Sequence, residues 1–194
     1  FNEVINNLKG VNFIIDNKSC SVFSEKIIRA KFKILNKKDP IYKLKSIKNS
    51  SEIKYMVEAH KKDGLALTKF IYWIKNINNK DITEVDAQNK LEKFRKMDNN
   101  YLYPSFNTIA GSGSNGAIVH YRATKLNTKI INKKDIFLCD SGGQYKYGTT
   151  DVTRTLCFSK PRQYIKDIFT KVLKGHIAVA LTNLNKDNTG KKID

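Results

Sequence analysis

The stretch FLCDSGGQYKYGTTDVTRT, residues 137–155, sets two aspartates, Asp140 and Asp151, among apolar residues that alternate with threonine. Gly142, Gly143 and Gly148 interrupt the run between them. Alternation of this kind marks half-buried strands, and glycine clusters mark the turns that join them. The spacing predicts a hairpin with arms at 136–143 and 150–158. Partners in an antiparallel ladder run in opposite directions, so Asp140 and Asp151 fall opposite or diagonal to each other. Period-two alternation then puts both carboxylates on one face. Like charges about 5 Å apart on neighbouring strands repel, and need a counter-charge or a shared proton. A hard divalent cation, or two bridged by carboxylates, meets that need. An ion pair with Arg154 or Lys146 meets it as well, and spacing alone leaves both readings open. Phe137, Leu138, Cys139, Val152, Leu156 and Phe158 make the arms core-forming. The aspartates are therefore expected to be more than solvated surface charges.

Upstream of the hairpin, FNTIA (106–110) and AIVHYRA (117–123) read as two further short strands, with GSGSNG as the break between them. Two helices precede the strands. The first covers 49–77: Asn49 and Glu52 stand at capping-box spacing, and Ile53, Met56, Val57, His60, Gly64, Leu67, Phe70, Ile71 and Ile74 recur at helical spacing. The second, EVDAQNKLEKFRKM, is capped by Thr83 and Asp86 and shares Leu91, Phe94 and Met97 on one face. Downstream, a third helix starts near Pro161 and carries Ile165, Ile168, Val172, Leu173, His176 and Val179. His60 and His176 fall on apolar faces, where core or core-edge packing is the expectation. Helices, then strands, then a helix argue for an α+β domain built on an antiparallel sheet. The first forty residues differ: VNFIID reads as a buried strand, SEKIIRAKF as a short helix or second strand, and KILNKKDP as a strand end running into a break at Pro40.

The 194 residues suffice for one good core, or one core and a piece of another. A 40% hydrophobic share with three prolines is that of a folded chain. No apolar run approaches the roughly 20 residues that span a bilayer, and no charged-then-apolar leader opens the sequence, so a cytoplasmic protein without a membrane partner is expected. Cys20, Cys139 and Cys157 form no CxxC pair, which suits buried thiols in a reducing compartment. The net charge of +18 invites a nucleic-acid partner. It is carried by lysines scattered along the chain among many asparagines and isoleucines, a compositional drift rather than a binding surface, and no nucleic-acid partner is expected.

LCDSGGQYKYGTTDVTRT resembles the signature of the Xaa-Pro aminopeptidases, members of the pita-bread metallopeptidase family that includes prolidase, creatinase and methionine aminopeptidase. KNSSEIKYMVEAHKKDGLALTKFIYWI resembles the first helix of that family's catalytic domain. TIAGSGSNGAIVHYRA resembles the segment bearing a substrate-contacting histidine, and VLKGHIAVA the helix after the hairpin. The match runs in order over roughly residues 46 to 181.

The resemblance implies a partial pita-bread catalytic domain over 42–194, preceded over 1–41 by the tail of an α/β N-terminal domain of the creatinase type. It implies that Asp140 is the terminal ligand of one metal ion, that Asp151 bridges two, and that His120 positions the substrate and stabilises the tetrahedral intermediate. The implied cofactor is a pair of manganese ions, with cobalt or zinc as alternatives, and the implied substrates are peptides with an N-terminal Xaa-Pro. Such a site takes a histidine and two glutamates besides the two aspartates, from a segment after GHIAVA that this sequence does not contain. A fragment inactive in isolation is expected, with the missing C-terminal part or a homodimer partner as its complement, and a non-catalytic module as the other reading. Tyr147, where the family has a short polar residue, is expected to be a turn variation without consequence.

Overall fold

The computed structural model describes residues 1–77, 81–183 and 189–193, in two units, Phe1–Ile53 and Lys54 onward. In the first unit, α1 (Asn2–Asn7), β1 (Asn12–Ile15), α2 (Val22–Arg29), β2 (Lys33–Asn36) and α3 (Pro40–Ser46) follow in order. β1 and β2 pair in parallel, with Phe13 opposite Ile34, which requires a crossover between them. α2 supplies it, so the segment left open as helix or strand is a helix. Ser21 caps it by accepting the Ser24 amide, and Ile28 closes a small core with Ile5, Ile15 and Phe32. Pro40 does more than break the chain. It sits in the first turn of α3, where no backbone N–H is needed, behind an Asp39 side chain that accepts the Ile41 amide.

α4 (Ser50–Asn76) begins as its sequence predicts: the Glu52 amide donates to Asn49 Oδ1 at 2.9 Å and the Asn49 amide to Glu52 Oε2 at 2.8 Å. Its buried stripe is Ala59, Asp63, Ala66, Leu67, Phe70 and Ile74, while Ile53, Met56 and Val57 are exposed. α5 (Glu84–Arg95) carries the reciprocal Thr83–Asp86 capping box and buries Ala87 and Leu91. Then come β3 (Tyr101–Pro104), β4 (Ile109–Ser112), a 3-10 turn (Gly113–Ala117), β5 (Ile136–Ser141), β6 (Gly143–Tyr145), β7 (Gly148–Thr149), β8 (Val152–Cys157), α6 (Gln163–Ala180) and α7 (Gly190–Ile193). Two antiparallel sheets result, in the orders β4-β5-β8 and β3-β6-β7. The fold is α+β, as expected. Among the described residues, no helix is long and apolar enough to cross a membrane.

One face of β4-β5-β8 packs against α4 and α5. Leu67, Phe70, Ile74, Ala87 and Leu91 meet Ala110, Phe137, Cys139 and Leu156 there. Three expectations are corrected. Residues 117–123 are no strand but the end of the 3-10 turn and an irregular loop, because the buried anchors there bond to side chains rather than to a neighbouring strand. His60 and His176 are exposed rather than packed, and His60 Nδ1 lies 2.8 Å from the Met56 carbonyl of its own helix. α6 buries none of its residues: Phe169, Val172 and Leu173 stay exposed along a groove of about 960 Å³ shared with Ile136, Thr155 and Cys157.

Candidate metal centre

β5 divides its side chains cleanly. Phe137, Cys139 and Ser141 are buried toward the helices, and Ile136, Leu138 and Asp140 lie half-buried on the other face. Asp140 is opposite Thr153 in β8, and the Thr153 hydroxyl donates to Asp140 Oδ1 at 2.9 Å. Asp151 lies two residues before Thr153, so it is diagonal to Asp140 and on the same face. The strands are core-forming, but the aspartate face is not the core face. Asp140 is half-buried and Asp151 exposed.

Neither carboxylate has an ion pair among the described residues. Arg154 pairs with Cys139 across the ladder, hence on the opposite face, and its Nη1 donates to the Thr153 carbonyl. Two carboxylates held together without a cation fit a hard divalent ion, whose oxygen ligands are of this kind. They are a partial set, because the described residues contain no group of three or more His, Cys, Asp or Glu side chains placed to hold a metal. The nearby Cys139 thiol is no candidate: burial pushes its pKa up to about 11.

Backbone packing fixes where the aspartates stand. A Cβ on Gly142 would lie 2.0 Å from the Thr150 carbonyl oxygen and 2.3 Å from Ser105 Oγ, so only glycine fits between them. Thr150 clamps the same crossing: its amide donates to the Gly143 carbonyl at 2.9 Å, and its hydroxyl accepts the Gly143 amide at 2.9 Å. Its neighbour Asp151 is thereby held near Gly143, three residues beyond Asp140. Tyr147, expected to be without consequence, packs between Tyr55 and Tyr145 at ring-centroid distances of 5.8 and 6.4 Å.

Beneath the carboxylates lies an ion pair that inspection of the sequence missed. Arg95 Nε and Nη2 donate to Asp63 Oδ1 and Oδ2 at 2.6 and 3.1 Å, and Nη2 also donates to Ser141 Oγ at 3.0 Å. The Tyr145 hydroxyl donates to Asp63 Oδ1 at 3.0 Å. Both ionic groups are buried, yet in sequence they pass for solvated charges. The helical phase is the signal that locates Asp63, since it falls between Ala59 and Leu67 on the buried stripe.

His120 is exposed and has φ of +53°, a left-handed conformation uncommon outside glycine. The turn that leads to it packs on the aspartate face: a Cβ on Gly116 would lie 3.3 Å from Leu138 Cβ, and Leu138 shares a face with Asp140 two residues, or about 7 Å, along β5. Ser112 at the end of β4, Asn115 in the turn, and Tyr121 and Lys129 in the loop after it converge on Glu84, which is fully buried and which the sequence reading did not single out.

Comparison with known proteins places the chain in a family and a fold. A Xaa-Pro aminopeptidase P of Paracoccidioides brasiliensis, described as probable, is 43% identical over 165 residues, covering 84% of this chain and 27% of that protein. The Drosophila melanogaster Xaa-Pro aminopeptidase ApepP is 42% identical over 157 residues, covering 80% of this chain and 26% of its own length. The chain thus spans about a quarter of the length of these relatives. Among solved structures, the X-prolyl aminopeptidase of Caenorhabditis elegans, described as a cytosolic enzyme with a di-nuclear active site, superposes with a TM-score of 0.75 at 30% identity, covering 87% of this chain and 28% of that one. The prolidase of Pyrococcus horikoshii gives 0.76 at 27% identity, covering 92% and 50%. The fold is therefore the one shared by the pita-bread aminopeptidases and prolidases. The model of metallopeptidase family M24 matches residues 54–194, the unit that holds both aspartates and His120, and the chain belongs to that family.

Proposed function

We propose that this chain carries part of the catalytic centre of a cytoplasmic, manganese-dependent aminopeptidase that releases the N-terminal residue from peptides with proline in second position. In this reading Asp140 is a terminal ligand of one ion, Asp151 bridges two, and His120 contacts the substrate. The observation that carries it is the pair of carboxylates on one face of the paired strands β5 and β8, neither of which has an ion pair among the described residues. The relatives supply the substrate class.

The all-oxygen pair suits manganese better than a thiolate-preferring ion. When bound, the ions supply Lewis acidity and lower the pKa of a coordinated water. The chain's own residues supply orientation. Thr153 holds Asp140 Oδ1, which fixes the carboxylate's rotation. His120, exposed in the segment after the 3-10 turn, is placed to donate a hydrogen bond to a carbonyl that gains charge during attack. An X-Pro bond has no amide hydrogen, so recognition rests on such carbonyl contacts and on the free amino end.

Two ligands make a weak site, and we propose that the others lie in the part of the relatives' length that this chain does not span. The chain alone is then inactive. Manganese titrated into it is expected to bind with a dissociation constant on the order of millimolar, broadening amide signals around Asp140 and Asp151, and Asp140→Ala is expected to abolish the effect. Broadening centred elsewhere would remove the ligand assignment. Manganese-dependent cleavage of an Xaa-Pro peptide by the chain alone, lost in Asp151→Ala, would overturn its inactivity.

A further inference from the structure

We propose that Glu84 is the positioning residue for His120, acting through Tyr121 and Asn115; the catalytic importance of this rests on His120 being the substrate-contacting residue. Glu84 is the first residue of α5, a place where a carboxylate ordinarily faces water and the helix dipole. Here it is fully buried, and among the described residues it has no Lys or Arg partner. Its charge is met by hydrogen bonds alone. Oε1 accepts the Ser112 amide at 2.7 Å and Asn115 Nδ2 at 3.0 Å, and Oε2 accepts the Tyr121 hydroxyl at 2.8 Å and the Lys129 amide at 3.0 Å. Asn115 Nδ2 also reaches the Tyr121 hydroxyl at 2.8 Å, which closes a ring of three side chains.

His120 sits between two of these anchors. Asn115 lies five residues before it and Tyr121 directly after it, both buried, while Ile118, Val119 and His120 are exposed. A non-glycine residue at φ of +53° persists only where its surroundings over-determine it. His120 is the third residue of a turn closed by the Tyr121 amide donating to the Ile118 carbonyl at 3.1 Å, and the ring around Glu84 anchors that turn on both sides, at Tyr121 immediately after His120 and at Asn115 five residues before it. A carboxylate is needed rather than an amide, because every group that points at it is a donor. The carboxylate also holds the Tyr121 phenol in its protonated, donating form, its pKa pushed up to about 12 by burial and by Glu84.

The imidazole signals of the full 194-residue chain test this directly, since only three histidines are present and His120→Asn assigns the relevant one. In Glu84→Gln and in Tyr121→Phe, the His120 ring signals are expected to shift and broaden or split, while those of His60 and His176 stay in place. Phe70→Leu, which loosens the core away from the loop, serves as the control for lost stability and is expected to leave His120 unchanged. If Glu84→Gln does not fold, Tyr121→Phe, which keeps the carboxylate and its amide donors, carries the test. Unaltered His120 signals in either folded variant, or equal changes in the control, would overturn the proposal. The signals report geometry whether or not His120 meets substrate, so this inference and the functional reading fail separately.

Discussion

At the scale of single residues, two carboxylates among the described residues are buried by opposite means. Glu84 is neutralised by donors without charge, and Asp63 by the bidentate guanidinium of Arg95. Arg95 Nη1 is buried without a partner, so the pair is not fully satisfied and contributes less than its two short bonds suggest. Breaking it is another matter. Asp63→Ala leaves an uncompensated cation in the core and is expected to cost about 3–5 kcal/mol, whereas replacing the pair by apolar residues, Asp63→Leu with Arg95→Met, is expected to cost far less. Urea unfolding of the three proteins decides it, and a loss below about 1 kcal/mol for Asp63→Ala would show that water reaches the guanidinium. At this scale the sequence was legible where chemistry and pattern coincide. Asp140 and Asp151 stand out because carboxylates interrupt strand alternation. Asp63, Arg95 and Glu84 do not, because a charged residue on a lysine-rich helix looks the same whether it faces water or a partner from a distant segment.

At the scale of elements, local signals decided most of the outcome. The capping boxes at Asn49 and Thr83 form as read, and the β5–β8 register puts the two aspartates diagonal to each other as the alternation required. The failures share one cause, tertiary partners that a local pattern does not encode. Residues 117–123 alternate like a strand but have no ladder to join, and β3, β6 and β7 are too short to show a period. The apolar stripe of α6 is real but lies exposed, so periodicity located the helix without saying what it packs against. The α5 cap gives a prediction with a sign. Thr83 and Asp86 satisfy each other's backbone amides at 3.0 and 3.1 Å, and Thr83→Ala is expected to cost about 1 kcal/mol near neutral pH. The hydrogen bonds from the Thr83 side chain and amide hold the Asp86 carboxyl below its usual range. A depressed carboxyl contributes stability above its unfolded pKa, about 3.9, and loses it as pH falls through the folded value. The difference between wild type and Thr83→Ala should therefore shrink in acid. Urea midpoints for both proteins at neutral and acid pH measure it, and a constant difference would mean the threonine acts without the aspartate.

At the scale of the whole molecule, tyrosine hydroxyls tie the layers of the second unit together. Tyr101 donates to Glu92 at 2.5 Å, Tyr121 to Glu84 at 2.8 Å and Tyr145 to Asp63 at 3.0 Å, joining β3 to α5, the His120 loop to α5, and β6 to α4. In all three, burial first and a neighbouring carboxylate second raise the phenol pKa, for Tyr121 to about 12. The sign follows from proton counting. An unfolded tyrosine ionises near 10, so above that pH the unfolded chain binds fewer protons than the folded one and stability falls as pH rises. These tyrosines add nothing to acid sensitivity; their contribution is complete below about pH 10 and drains away as the pH climbs toward the folded values. The chain has nine tyrosines. Near-ultraviolet titration should therefore show a late, cooperative stage in which Tyr101, Tyr121 and Tyr145 ionise together with loss of circular dichroism. Tyr121→Phe should remove one phenol from that stage. A single smooth titration of all nine, with structure retained throughout, would mean that the phenol–carboxylate contacts between layers open independently and do not hold the unit together.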